Sequence, residues 1–305
     1  MSLPISGIFP PMLTPFKENG DVNYDAFTRN IQKWNHAPLS GYLVLGSNSE
    51  TSYLTEEEKL ALIKLTVQSA GNSKTILAGT GMESTRETIR LTNKAAELGV
   101  QAALVLTPCY YITQMTDRAL INHFTTVANE SEIPILLYNV PKFTHVNLSA
   151  EAVRILSEHP NIIGMKDSTG NVAQLETFKK VAEPDFNVIV GTAATLYPAL
   201  TLNIHAGILA LANCAPSECA QIQTLYIEGK LEEAQELQKR MLPVNLAITA
   251  TYGISGLKYA ATLMGYEGGH VRSPLLELRE EEKQVIRGIL KEAGLLSYPH
   301  VTNNF

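Results

Sequence analysis

Eight short, nearly unbroken apolar runs divide the first three-quarters of the chain. They are "GIFPPML" (7–13), "GYLVLG" (41–46), "TILAGT" (75–80), "AALVLTP" (102–108), "ILLYNVP" (135–141), "IIGMKD" (162–167), "VIVGT" (188–192) and "GILALAN" (207–213). A strand with one wet face alternates polar and apolar residues, whereas continuous runs mark strands covered on both faces, as in a parallel sheet flanked by helices. The segments between the runs are each long enough for one helix and carry start signals. Thr55 with Glu58 and Ser84 with Glu87 read as capping boxes, and Ser149 stands ahead of "AEAVRIL". Eight repeats of strand and helix fit the closed (β/α)8 or TIM barrel of the α/β class better than an open sheet, which has fewer units or a reversal of strand order.

The barrel is expected over residues 1–229. From 230 to 305 the pattern changes: "LEEAQELQKRMLPVNLAITATYG", "GLKYAATLMGY" and "REEEKQVIRGILKEAG" have helical periodicity and no strand-like run. This predicts a small C-terminal helical appendage. The alternative is that one of these helices closes the bottom of the barrel.

Composition narrows the class of function. With 305 residues, 45% hydrophobic and 18% charged, the chain has material for a sizeable core. A formal net charge of −6 and no basic stripe argue against nucleic acid, whose phosphates require clustered Lys and Arg. No run reaches membrane-spanning length, and "MSLPISGIFPP" has neither the basic start nor the apolar core of a leader, so a cytoplasmic location is expected. The three cysteines, Cys109, Cys214 and Cys219, are an odd set and read as reduced packing residues. The seven histidines show no metal-binding spacing, so no protein-built metal site is expected.

Barrel enzymes carry their chemistry at the carboxyl ends of the strands. On this rim fall "GSNSE" (46–50), "TPCYY" (107–111), Tyr138 with "NVP", Lys166 with Asp167, and "GTAA" (191–194). Lys166 is the only lysine inside an apolar strand pattern. It reads in three ways: a solvated strand end, half of an ion pair with Asp167, or a nucleophile. Burial disfavours an ammonium, and the neutral amine it leaves attacks carbonyls to give a Schiff base that draws electrons from the adjacent carbon. Such chemistry requires a proton shuttle, for which Tyr138 is suitably placed, unless it is a core tyrosine with a backbone partner. Ser47 is either a relay and carboxylate ligand or a turn serine. Cys109 has no evident histidine to activate it. Lys258, in "YGISGLKYAATL", falls in the helical tail, where a lysine usually lies along the surface.

Taken together and in this order, "GIFPPMLTPF", "GSNSE", "TPCYY", "YNVP", "GMKDSTGN", "ALAN" and "GLKYAATLMGY" resemble the dihydrodipicolinate synthase and N-acetylneuraminate lyase superfamily of class I aldolases over nearly the whole chain. The resemblance implies a Schiff base between Lys166 and pyruvate or another 2-oxo acid, with no separate cofactor. It implies Tyr138 as acid/base, Ser47 and Asn48 at the carboxylate and proton-relay positions, and Gly191 and Ile208 lining the pyruvate pocket. Tyr110 looks like the tyrosine lent to a neighbouring subunit, which implies a homo-oligomer, a dimer of dimers; Tyr111 beside it is the other aromatic that could enter the site.

Two departures bear on the substrate. Synthases of this superfamily typically place an arginine two residues beyond the proline of "YNVP", to hold the aldehyde's carboxylate; here Phe143 stands there, with Lys142 as its neighbour. Ser49 occupies the second glycine position of a Gly-x-x-Gly-Glu loop, and a positive φ there would strain serine. The Gly-Ser-Asn start is most similar to the 4-hydroxy-2-oxoglutarate aldolase branch. The expected activity is retro-aldol cleavage of a 4-hydroxy-2-oxo acid to pyruvate and an aldehyde. The alternatives are condensation of pyruvate with aspartate semialdehyde as a dihydrodipicolinate synthase, cleavage of a 3-deoxy sugar acid, and a non-catalytic 2-oxo-acid sensor.

Overall fold

All eight apolar runs form parallel strands in the computed structural model, which describes residue 3 and residues 5–296. The strands are β1 (Gly7–Phe9), β2 (Gly41–Val44), β3 (Thr75–Gly79), β4 (Ala102–Leu106), β5 (Ile135–Asn139), β6 (Ile162–Asp167), β7 (Asn187–Val190) and β8 (Ala206–Ile208). From β2 to β8 each strand pairs with the next in sequence, and β1 pairs with β8. The remaining seam, between β1 and β2, is sewn by backbone bonds from Ser40 N–H to the Ile8 carbonyl (2.9 Å) and from Met12 N–H to the Leu43 carbonyl (2.9 Å). No strand edge is left to seek a partner.

The helices are α1 (Tyr24–Asn35), α2 (Glu56–Ser69), α3 (Thr85–Glu97), α4 (Asp117–Glu130), α5 (Pro141–Thr144), α6 (Ala150–Ser157), α7 (Val172–Val181), α8 (Leu196–Leu200) and α9 (Pro216–Ile227). They cover the outer faces of the strands, so strand residues such as Val44, Val105, Leu137 and Met165 join one core with the helices. The alternate residues, including Phe9, Leu43, Leu104, Leu136, Ile189 and Ile208, fill the lumen as a second cluster. Continuous apolar runs are thus the expected signature, because both faces of each strand are dry. Thr55 and Glu58 form the expected capping box of α2. At α3 only half of it forms: Ser84 Oγ accepts the Glu87 N–H, while the Glu87 carboxylate is drawn to Arg90. Ser149 caps α6 through the Ala152 N–H.

Beyond α9 come α10 (Leu231–Leu246), a π-helical turn (Ala247–Thr251), α11 (Gly253–Leu263) and α12 (Glu280–Glu292); residues 297–305 of the C-terminal region lie outside the described residues. These helices do not close the bottom of the barrel. Gln238 donates to the Ala193 carbonyl after β7 (2.8 Å), Lys142 after β5 donates to the Thr249 carbonyl (2.7 Å), and Lys258 pairs with Glu50 after β2. All three contacts are to loops at the carboxyl ends of the strands, where the site lies.

Candidate active site

The site begins with a register shift. Ile135 on β5 faces Ile162 on β6, but the next residue, Leu136, faces Gly164, so β6 holds one extra residue there. An added residue reverses which face every later side chain meets. Without it, Lys166 would share the outward face of Ile162, which packs in the helix-side core. With it, Met165 packs outward and Lys166 turns into the lumen beside its register partner Tyr138. Gly164 permits the shift, since a Cβ there would stand 2.3 Å from the Asn187 carbonyl oxygen.

Lys166 is 3% exposed, with Nζ 4.3 Å from the centre of the Tyr138 ring. That disposes of the solvated strand end. It is not an ion pair with Asp167 either: the Asp167 carboxylate faces outward and accepts from Asn139 Nδ2 (2.7 Å), Gln174 Nε2 (3.1 Å) and the Thr169 hydroxyl. Among the described residues, no carboxylate pairs with the Lys166 amine. The Tyr138 hydroxyl lies 3.3 Å from Ser47 Oγ, within hydrogen-bonding distance. A strand-five phenol therefore connects the lysine to the loop after β2.

A cavity of roughly 270 Å³ opens over these groups and is lined by Ser47, Asn48, Tyr138, Lys166, Gly191 and Phe143 among the residues expected from the sequence. Gly191 leaves no room for a side chain, since a Cβ would come within 2.8 Å of both the Asp167 carbonyl oxygen and the Ser168 Cα. Ile208 is not on this wall; it is wholly buried in the lumen cluster, and Ala210 lines the cavity instead. Tyr110 does not line the cavity of this single chain either. It is 77% exposed and meets Tyr111, 70% exposed, edge-on at 5.0 Å. Both rings sit on a loop fixed by Glu83, whose carboxylate accepts the N–H groups of Cys109 and Tyr110. Burial and that same carboxylate push the Cys109 thiol up to about 11, so it is no thiolate nucleophile at neutral pH.

Several site residues escaped the sequence reading. Ser168 and Asn245 line the cavity, and Ser168 Oγ and Asn245 Oδ1 are buried without a hydrogen-bond partner. Asn245 comes from α10, whose periodicity signals a helix but not which loop it meets. The expectation for Ser49 also changes. It sits in a 3-10 turn (Ser47–Ser49), its hydroxyl donating to the Met12 carbonyl, and the left-handed residue is the next one, Glu50, at φ 56°. That costly conformation is held by two contacts: the Arg272 N–H donates to Glu50 Oε2 (2.8 Å), and the Lys258 ammonium lies 2.5 Å from Oε1. Lys258 is accordingly not a surface lysine. It is 2% exposed beside a carboxylate that is fully buried, and burial lowers it to about 8 despite the pairing with Glu50. The described residues contain no cluster of three His, Cys, Asp or Glu side chains able to hold a metal.

The dihydrodipicolinate synthetase family model matches residues 4–293. The chain belongs to this family. It is similar to the 4-hydroxy-tetrahydrodipicolinate synthases of Methanothrix thermoacetophila (33% identical, covering 95% of this chain and 98% of that protein) and Ruegeria pomeroyi (34% identical, covering 95% and 99%). Its fold matches a dihydrodipicolinate synthase from Bacillus anthracis, with a TM-score of 0.91 at 28% identity over 97% of this chain and 99% of that one. It also matches the chloride-inhibited enzyme from Acinetobacter baumannii complexed with pyruvate, with a TM-score of 0.91 at 30% identity over 96% and 100%. As a member of the dihydrodipicolinate synthetase family the protein is a carbon–carbon lyase of the class I, pyruvate-dependent type, working through a lysine Schiff base without an external cofactor.

Proposed function

We propose that Lys166 is the Schiff-base lysine, Tyr138 its acid/base, and Ser47 with Asn48 the ligands of the 2-oxo acid's carboxylate. One observation carries this reading: a buried lysine with no paired acid lies over a phenol that is itself joined to Ser47. The Lys166 amine adds to C2 of pyruvate, Tyr138 protonates the leaving hydroxyl so that water departs, and the resulting Tyr138 phenolate takes the C3 proton, which gives the enamine and restores the phenol. The enamine then attacks an aldehyde carbon, the new alkoxide takes a proton from Tyr138, and water releases the product from the lysine. Run backwards, the same steps break a C3–C4 bond and release pyruvate.

The names of the relatives support condensation with aspartate semialdehyde, the dihydrodipicolinate synthase reaction, better than they support the cleavage expected from the sequence. A second reading, retro-aldol cleavage of a 4-hydroxy-2-oxoglutarate-like acid, is favoured by one feature. Among the described residues no guanidinium lines the cavity, and Phe143, 55% exposed, stands on its wall. We extend the proposal to a homo-oligomer, a dimer of dimers, in which Tyr110, 77% exposed on this chain, enters the neighbour's site.

Borohydride reduction in the presence of pyruvate, followed by peptide mapping, tests the lysine. The reading expects one adduct, on the peptide with Lys166, lost in Lys166→Met. An adduct on Lys258, or none, defeats it. Tyr138→Phe is expected to slow turnover by ~10²–10⁴-fold. Parallel assays with pyruvate plus aspartate semialdehyde and with 4-hydroxy-2-oxoglutarate decide between condensation and cleavage.

A further inference from the structure

The turn that carries Ser47 and Asn48 ends on a strained residue. Glu50 closes it by donating its N–H to the Ser47 carbonyl (3.2 Å), and does so in the left-handed region, at φ 56° and ψ 36°. A residue with a Cβ persists there only where its surroundings hold it. Here those surroundings are charged and dry. Glu50 is 2% exposed, with the Lys258 ammonium 2.5 Å from one carboxylate oxygen and the Arg272 N–H donating to the other (2.8 Å). Both partners come from the C-terminal helical region, and neither is free to follow the turn if it moves. Lys258, on α11, lies 4.5 Å from the centre of the Phe16 ring and donates to the His270 carbonyl. The Arg272 guanidinium stands 4.3 Å from the same ring centre and makes two hydrogen bonds of 2.7 Å to the Glu58 carboxylate. A buried ion pair adds little net stability, because desolvation offsets the attraction, but it fixes geometry, since either charge is costly without the other.

We infer that Lys258 and Arg272 are positioning residues that act through Glu50, holding the turn so that Ser47 and Asn48 meet the carboxylate of the 2-oxo acid. This rests on the roles proposed above for Ser47 and Asn48, and adds to them the origin of their placement. Affinity for the 2-oxo acid is thereby tied to the charge on Lys258, which burial lowers to about 8. The charged groups facing Lys258 are Glu50, Glu277 and Arg272, and the Glu277 carboxylate is itself 3.1 Å from the His270 imidazole. Once Lys258 loses its proton, the Glu50 carboxylate keeps the Arg272 N–H and loses its counter-ion, so one of the two restraints on the left-handed residue is gone.

The test is borohydride capture of pyruvate, scored as the pyruvate concentration that gives half-maximal adduct, at pH 7 and pH 9 for wild type, Glu50→Gln and Lys258→Arg, with thermal unfolding of each followed in parallel. Glutamine keeps the size of Glu50 and an oxygen for the Arg272 N–H, but offers Lys258 no charge. At pH 7 Glu50→Gln is expected to need about tenfold more pyruvate than wild type, with the adduct still forming on Lys166 at saturation. From pH 7 to pH 9 the requirement should rise several-fold in wild type. Glu50→Gln, which has no ion pair to lose, and Lys258→Arg, whose guanidinium stays charged, should both lack that rise. An unaltered requirement in Glu50→Gln, a lowered melting temperature as its sole effect, or the same pH response in all three proteins overturns the inference. If Lys258→Arg does not fold, Glu50→Gln decides alone, and a wild type with no rise overturns the inference without either variant. Ser47→Ala in the same assay keeps the proposals apart. No capture in wild type fails the Lys166 reading, an unaltered requirement in Ser47→Ala fails the carboxylate reading, and a raised requirement in Ser47→Ala with none in Glu50→Gln fails only this inference.

Discussion

Burial of His123 on α4, 6% exposed, leaves its Nδ1 2.8 Å from the Thr85 hydroxyl and its Nε2 without a partner. Desolvation lowers it from 6.5 to about 4, although Glu83 nearby acts the other way. The unfolded chain therefore takes up this proton first as the pH falls, so stability is lost between about 6.5 and 4 and the group adds no further loss below that. The whole effect is about 3 kcal/mol. His123→Phe, which cannot titrate, should flatten this part of the acid limb; urea midpoints for both proteins at pH 7 and pH 4.5 check it, and parallel curves would refute it. Lys258 behaves differently, because its burial is offset in part by Glu50, which no spacing in the sequence could have revealed.

At the scale of elements, β6 decides whether there is a site. The extra residue next to Gly164 delivers Lys166 to the lumen, and a methyl group at Gly164 would press on the Asn187 carbonyl of β7. Gly164→Ala should cost about 1–3 kcal/mol in a denaturant midpoint and also slow pyruvate capture, because any relief moves β6 against its neighbours. Normal capture at normal stability would show that the register is not what aims the lysine. This also marks how far the sequence could be read. The eight strands were legible because a strand dry on both faces is apolar throughout, and the lysine was legible because it breaks such a run. The direction in which it points was not, since strict alternation from Ile162 aims it outward. A glycine within a β-branched strand was the available hint. Likewise, periodicity found α10 but could not show that Asn245 reaches the cavity, because the contact joins segments far apart in the chain.

For the molecule as a whole, we propose residues 1–229 as the barrel unit and residues 230–305 as a helical region, whose described part, to residue 296, completes the barrel's mouth. Helix α10 buries Leu237, Met241 and Val244 and brings Asn245 to the cavity, while α11 brings Lys258 to Glu50. A chain ended after Gly229 is expected to aggregate and to capture no pyruvate; a soluble fragment with a normal adduct yield would show that the barrel suffices. The partnership between Glu50 and the last quarter of the chain also has a temporal side. The N–H of Arg272, which holds the Glu50 carboxylate, lies 222 residues further along. A nascent chain leaving the ribosome can thus set down all eight strands while the Glu50 carboxylate that ends the turn bearing Ser47 still awaits the backbone N–H that holds it.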